Sequence, residues 1–122
     1  EEVWRIERNV PHIPSLVVIG DKAYLWDDAG IVTCVQAGTG EEIWKGRVPG
    51  VEGSCFGSPV TDGKNIFCGD ESGNINVIAV ADELKHLATN KLDDLCRTTP
   101  AIGDGAIFVR TYKKLVAVEG EK

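Results

Sequence analysis

The feature that most constrains this chain is an internal repeat with a period of 40 to 43 residues. The run 2–5 (EVWR) recurs as 42–45 (EIWK), so that Trp4 and Trp44 are 40 positions apart. The turns 27–30 (DDAG) and 70–73 (DESG) are 43 apart, and a third copy begins at TPAIGDGAIFVR, 99–110. A repeat of this length is one supersecondary unit, which buries its apolar face by stacking on its neighbours.

Each repeat carries the signals of antiparallel β-structure. Short runs rich in valine, isoleucine, phenylalanine and tyrosine alternate with Asp-Gly, Ser-Gly and Pro-Gly turns. Segment 81–88 (ADELKHLA) has the nearest approach to helical spacing, but it stands where the preceding repeat has a strand, and we interpret it as a strand. Four strands in about 40 residues are the size of one propeller blade. The predicted fold is all-β, with β-propeller blades of four antiparallel strands and about three blades' worth of chain.

The strands of each blade are labelled a to d in chain order. A blade end, 1–10, contains a lone d strand at 2–8. It precedes a first blade at 14–48, a second blade at 56–92 and a partial third blade at 98–118. The predicted strands are 15–20, 22–27, 31–36 and 41–48 in the first blade, 57–61, 65–69, 74–80 and 84–92 in the second, and 98–102, 106–111 and 114–118 in the third.

Composition excludes several classes of partner. A chain of 122 residues with 43% hydrophobic and 26% charged residues is typical of one ordinary globular unit. Its net charge of −6 is opposite to that of a nucleic-acid-binding surface. The longest apolar run, 16–19 (LVVI), is far shorter than the roughly 20 residues of a membrane helix. We therefore expect no nucleic-acid partner and no membrane insertion.

The four cysteines, Cys34, Cys55, Cys68 and Cys96, include no CxxC pair, so a zinc site is not indicated. Two disulfides remain arithmetically possible. Free thiols are favoured, because three of the four stand beside apolar residues in strand-like runs, where cysteine packs as a small hydrophobe.

The segment 34–48 (CVQAGTGEEIWKGRV) resembles the tryptophan-docking segment of PQQ-like β-propeller repeats, the family of quinoprotein alcohol dehydrogenases and BamB-like scaffolds. Ala37, Thr39, Gly40 and Trp44 match its pattern, whereas Gln36 replaces the usual aspartate. The resemblance covers nearly the whole chain. It implies that Thr39 and Gly40 close the c–d hairpin and that Trp44 docks onto the adjacent blade.

The same resemblance gives Trp4 an equivalent docking role and implies a periplasmic or secreted location. The second blade departs from the pattern, because Ala88 stands about where the tryptophan belongs and the Thr-Gly turn is missing. We expect one docking contact to be absent there.

A quinoprotein enzyme of this family would stack PQQ on a tryptophan near the axis, coordinate Ca²⁺ and carry a vicinal disulfide. This sequence has no adjacent cysteine pair, Trp4 and Trp44 are assigned to docking, and Trp26 lies on a b strand. We therefore predict no cofactor, no metal site and no catalytic residue.

Other local motifs favour structural roles. Trp26-Asp27 has the letters of the WD repeat without its Gly-His start, and 70–74 (DESGN) lacks the spacing of a calcium loop. His12, between prolines, and His86, on an outer strand, are expected at the surface. The segment 103–108 (GDGAIF) lacks the lysine of a phosphate-binding loop.

One charged cluster differs from the rest of the chain. Arg110, Tyr112, Lys113 and Lys114 are basic or aromatic, whereas the matching turns of the other repeats are acidic. Two interpretations remain open: a docking patch for an acidic partner, and a solvated hairpin turn.

Two functions are compatible with these patterns. The favoured one is a non-catalytic scaffold or protein-interaction module, and the alternative is a piece of a propeller enzyme whose active site lies on other blades. The chain opens on what reads as the middle of a structured segment, which suggests an excised or mature piece. Its lone d strand and its abc blade predict a homodimer through the blade edges when the piece is isolated.

Overall fold

A computed structural model of the chain describes residues 1–119. Within them the chain forms eleven β-strands and no helix. The strands are β1 (Val17–Ile19), β2 (Lys22–Trp26), β3 (Ile31–Gln36), β4 (Glu42–Arg47), β5 (Val60–Thr61), β6 (Asn65–Gly69), β7 (Asn74–Ala79), β8 (His86–Lys91), β9 (Ala101–Gly103), β10 (Ala106–Arg110) and β11 (Leu115–Glu119).

The strands form three antiparallel sheets in which neighbours along the chain are neighbours in space. The first blade has the order β1-β2-β3-β4, the second β5-β6-β7-β8 and the third β9-β10-β11. Within each blade every connection is a hairpin, which antiparallel strands allow because a short turn can join them. The predicted all-β fold with blades of four antiparallel strands is confirmed. Within segment 81–88, residues 81–85 form the connection to β8 and residues 86–88 begin that strand, so the strand starts later than predicted and no helix forms there.

The first two blades share one register in their outer pair of strands. Trp44 on β4 lies opposite Cys34 on β3, next to a bulge between Cys34 and Val35. Ala88 on β8 lies opposite Val77 on β7, next to a bulge between Val77 and Ile78. Ala88 therefore occupies the structural position of Trp44.

The lone d strand predicted at 2–8 is not a strand in the structure. The segment belongs to none of the three sheets formed by residues 1–119. It is held instead by side chains, because Trp4 and Ile6 pack on Ala23, Leu25 and Val35 of the first blade. A strand is defined by its hydrogen-bonded neighbour, and the described chain supplies no c strand beside this segment.

The innermost strands are shorter than predicted. β5 covers only Val60–Thr61 and β9 begins at Ala101, immediately after Pro59 and Pro100 respectively. Proline has no N–H to donate to a ladder, so it is tolerated at the first residue of a strand and not within one.

The apolar core lies between the blades. The junction of the first and second blades holds ten buried residues in one cluster, including Tyr24, Trp26 and Trp44 from the first blade and Ile66 from the second. The junction of the second and third blades buries only Ile75, Cys96 and Val109, with Phe67 packed beside them. The blades thus stack face to face.

Candidate interaction site

The docking tryptophans make the same contact at two successive places. The Trp44 indole Nε1 donates to the Ala81 carbonyl oxygen at 2.9 Å. The Trp4 indole Nε1 donates to the Ala37 carbonyl oxygen at 2.8 Å. Both acceptors lie between the third and fourth strands of the blade that follows, so each tryptophan joins a d segment to the next c–d turn.

The turn 36–40 is built to receive Trp4. Gly40 has a φ of +76°, and its N–H donates to the Gln36 carbonyl oxygen at 2.7 Å. The Thr39 hydroxyl accepts from the Glu41 N–H at 3.2 Å, which fixes the end of the turn. A Cβ placed on Gly40 would lie 2.7 Å from the Trp4 ring. The sequence pattern predicts the turn, whereas this contact with the ring is visible only in the fold.

Trp44 is surrounded by the neighbouring aromatic and aliphatic side chains. Its ring centroid lies 6.1 Å from that of Tyr24, with the planes tilted by 57°. Such tilted aromatic pairs contribute about 0.5–1.5 kcal/mol beyond burial. Burial raises the pKa of Tyr24 far above its ordinary value, so its hydroxyl stays neutral.

The turn of the second blade is organised by a buried carboxylate. Asp70 is fully buried and accepts hydrogen bonds from the backbone N–H groups of Glu52 and Asn74 and from the side-chain amides of Asn74 and Asn76. The Asn76 Oδ1 in turn accepts from the Thr89 hydroxyl at 2.9 Å. This connection carries the network from the b–c turn to strand β8.

The geometry at Asp70 also tests whether the sequence 70–74 (DESGN) resembles a calcium-binding loop. Both carboxylate oxygens face N–H donors, which is the arrangement that stabilises an anion and not the one that receives a cation. Among residues 1–119 no group of three or more acidic, histidine or cysteine side chains is arranged to hold a metal ion.

A related bond joins each b–c turn to the linker that precedes its blade. Asp27 accepts from the Asn9 side-chain amide at 3.3 Å in the first blade. In the third blade the roles are reversed, because the turn residue Thr111 donates to Asp94 in the linker at 2.7 Å. Bonds from the Thr111 hydroxyl and the Lys113 N–H lower the pKa of Asp94 below its ordinary value. The sequence does not predict these bonds, because the donor is a linker residue in the first blade and a turn residue in the third.

All four cysteines are buried free thiols. The Cys68 thiol lies beside the Cys55 thiol. The hydrogen bond between the two thiols, together with burial, raises the pKa of Cys68 well above its ordinary value. Neutral buried thiols pack as small apolar groups. Cys34 and Cys55 accordingly belong to the core of the first junction.

The two histidines lie apart from each other in different blades. His12 is 85% exposed at its side chain, with Nδ1 3.2 Å from the Asp28 carboxylate near the first b–c turn. The His86 Nε2 lies 2.8 Å from the Thr89 hydroxyl on β8. The fold does not bring them into one site.

The basic turn, which we define as 110–114, is the most distinctive surface feature. Arg110, Tyr112, Lys113 and Lys114 are exposed, and Tyr112 is 55% exposed. Together with Thr111 and Leu115 they line a shallow recess of about 310 Å³. The structure therefore brings the four predicted patch residues together.

The basic turn shares one side of the blades with two acidic turns. The Glu71 carbonyl oxygen accepts from the Cys96 N–H, and its carboxylate bonds Arg97 at 2.8 Å. The Tyr112 N–H donates to the Leu95 carbonyl oxygen in the same linker. The basic turn is therefore connected through residues 95–97 to the turn 70–73, whose Glu71 carboxylate is paired with Arg97.

Comparison with known proteins identifies the architecture. No protein-family model matches the sequence, and no curated protein matches it. Among solved structures, the chain is similar to BamB from Moraxella catarrhalis, with a TM-score of 0.67, 17% identity, and coverage of 85% of this chain and 32% of that one. It is equally similar to the C-terminal WD40 domain of Sif2, with a TM-score of 0.67, 18% identity, and coverage of 87% and 34%.

The chain has the fold of an incomplete β-propeller. It spans about a third of the BamB and Sif2 chains. It also matches the computationally designed Ika4 protein, with a TM-score of 0.64, 16% identity, and coverage of 85% of this chain and 63% of that one. At these identities the likeness shows the fold alone. Within residues 1–119 no helix has the length and apolar character needed to cross a bilayer.

Proposed function

We propose that this chain is a non-catalytic propeller module of the PQQ-like type that serves as a protein-interaction surface. Its docking point is the basic turn, and its partner is an acidic peptide segment of another protein. The likeness to BamB and to a WD40 domain supports an interaction scaffold at the level of the fold. The fold hosts many roles, so the finer assignment rests on the turn itself.

The observation that carries the proposal is that no cationic side chain of the basic turn forms a salt bridge within residues 1–119. The salt bridges among residues 1–119 engage Arg5, His12, Lys22, Lys85 and Arg97, and none engages Arg110, Lys113 or Lys114. Three cations around an exposed tyrosine present charge and an aromatic ring together. Arginine and tyrosine are among the residues enriched at protein interfaces.

Two carboxylates on this side have structural partners. Asp70 is enclosed by N–H donors, and Asp94 accepts from Thr111 and Lys113. Their hydrogen bonds hold turns to linkers. The chemistry on this side of the propeller therefore supports recognition in preference to proton transfer.

A binding measurement tests the docking point. The probe is a fluorescent peptide of aspartate and glutamate, followed by anisotropy at low and at high salt. We expect saturable binding that weakens with salt, because exposed charge pairs are screened. Tyr112→Ala combined with Lys113→Glu removes the ring and reverses one charge, and we expect roughly tenfold weaker binding.

Lys85→Glu provides the matched control, since Lys85 is exposed in the c–d turn at the opposite end of the second blade. It changes the net charge by the same amount as Lys113→Glu. Equal weakening by this control, or no saturable binding by the unmodified chain, contradicts the proposal.

The non-catalytic part has its own test. Titration with PQQ and Ca²⁺ is followed by tryptophan fluorescence, and we expect no saturable quenching. A dissociation constant in the micromolar range would overturn this part and favour a piece of a quinoprotein-like enzyme.

A further inference from the structure

One face of the third blade is uncovered and apolar. Phe108 on β10 pairs with Ala101 on β9 and Ala117 on β11, so these three residues share a face. Leu115, opposite Arg110, lies on the same face. Phe108 is 37% exposed and Leu115 is 75% exposed. The opposite face carries Val109, which is fully buried against the second blade.

The other blades show what belongs on this face. Phe108 is the third residue of its b strand, as Tyr24 is in the first blade. Tyr24 is only 1% exposed, because the second blade and Trp44 cover it. Ala117 matches Cys34, which lies opposite Trp44. Within residues 1–119, the third blade thus has no d strand with a tryptophan to cover this face.

The segment 2–8 is a d segment that has no neighbouring strand within residues 1–119. It presents Trp4 and Ile6 to the first blade, while Val3 is 79% exposed on the other side. Trp4 already bonds the c–d turn of the first blade, as Trp44 bonds that of the second. The segment therefore packs on the blade that follows it, but within residues 1–119 it has no c strand as a hydrogen-bonded neighbour.

The register of the first blade shows how segment 2–8 of one copy can pair with β11 of another. Placing Trp4 of a second copy opposite Ala117 sets Ile6 opposite Leu115 and Glu7 opposite Lys114, following the antiparallel order of β3 and β4. Leu115, which is 75% exposed, is then covered beside Ile6, and opposite charges face across the strands. A recess of about 290 Å³ beside Ile6, Thr33 and Val35 gives room for side chains of the incoming blade.

We propose that two copies of the isolated chain dock head to tail, the segment 2–8 of each becoming the fourth strand of the other's third blade. Propellers close with 4 to 8 blades, and six is the only multiple of three in that range. Two copies therefore close a six-bladed ring and leave neither edge open.

Sedimentation equilibrium over a range of concentrations tests the docking. The unmodified chain is expected at twice the 13.2 kDa monomer mass. Leu115→Glu places a charge on the face that is to be covered while changing a residue already exposed, so it is expected to remain folded and monomeric. Leu87→Glu is the control, because Leu87 is 52% exposed on β8, away from both docking elements.

A mixing experiment separates docking from unfolding. A chain lacking residues 1–8 and the Leu115→Glu chain are each expected to be monomers with β-sheet circular dichroism. Mixed together they retain one intact junction, since one supplies segment 2–8 and the other supplies β11, so a heterodimer is expected. A monomer of the unmodified chain at all concentrations, open-ended assemblies, no heterodimer, or equal disruption by Leu87→Glu would each overturn the proposal.

Discussion

The two junctions between blades have the same architecture and different contents. At the first, Trp44 fills the space between the sheets and bonds the next turn, within a cluster of ten buried residues. At the second, the equivalent residue is Ala88, and three buried residues form the core. The difference indicates that a blade can keep its register without its docking tryptophan, because turns and strand pairing set the register locally.

The second blade has a polar network where the first relies on apolar packing. Asp70 is fully buried with four donor groups around it, whereas Asp27 in the first blade accepts from two backbone N–H groups and from Asn9. Asn76 and Thr89 extend the network to β8. Side-chain hydrogen bonds through Asn76 and Thr89 therefore help to hold β8, whereas the buried Trp44 ring helps to hold β4.

The largest expected effect is at the first junction. Trp44→Ala removes a side chain that is 8% exposed and leaves the Ala81 carbonyl oxygen without its donor. We expect the free energy of unfolding to fall by about 3–5 kcal/mol, as large aromatic-to-alanine core changes do. Urea unfolding measures it, with Trp44→Phe as the milder control. A loss below that of Trp44→Phe would show that the ring is not central to this junction.

The second expected effect compares the two acidic turns. Asp70→Ala leaves several buried N–H groups unpaired, and we expect a loss of about 2–3 kcal/mol, the cost of removing one partner from charged hydrogen bonds. Asp27→Ala is the matched variant and should cost less, because fewer donors depend on it. Thermal unfolding of both variants decides the comparison. If Asp27→Ala is the more destabilising change, the second blade does not depend on its polar network in the way described.

The third expected effect concerns the turn that receives Trp4. Gly40→Val puts a branched side chain at a φ of +76° and against the Trp4 ring, with an expected cost of about 1–3 kcal/mol. Gly20→Val isolates the backbone contribution, because Gly20 has a φ of +59° and no neighbouring atom within 4 Å of its Cβ position. Chemical denaturation of both variants is the measurement, and equal losses would remove Trp4 from the explanation.

The smallest expected effect is a difference in local opening. Amides of residues 84–92 should exchange with a free energy about 1–2 kcal/mol lower than those of 41–48, because β8 lacks the tryptophan bond that holds β4. Native-state hydrogen exchange resolves this difference. Slower exchange in 84–92 would mean that the polar network holds its strand more firmly than the tryptophan does.

The sequence by itself determined the repeat, the all-β class and most strand positions. β3 and β6 have the predicted bounds, because their limits are set by local turn residues and by runs of strand-forming side chains. The position of Trp44 in the d strand follows from the same local spacing. Recognition of the Thr39-Gly40 turn needs only the preference of glycine for positive φ.

Only the tertiary structure decided which segments pair as strands, which polar groups form networks and which faces of the blades are buried. Segment 2–8 has the residue pattern of a strand and is not a strand, because strand formation requires a hydrogen-bonded partner and none of the strands within residues 1–119 pairs with it. The network at Asp70 joins a linker, a turn and an outer strand through residues up to 37 positions apart, from Glu52 to Thr89. The exposure of Phe108, whose counterpart Tyr24 is buried, depends on whether a blade follows in space. Local patterns specify each blade, whereas stacking between blades decides which of its faces remains open.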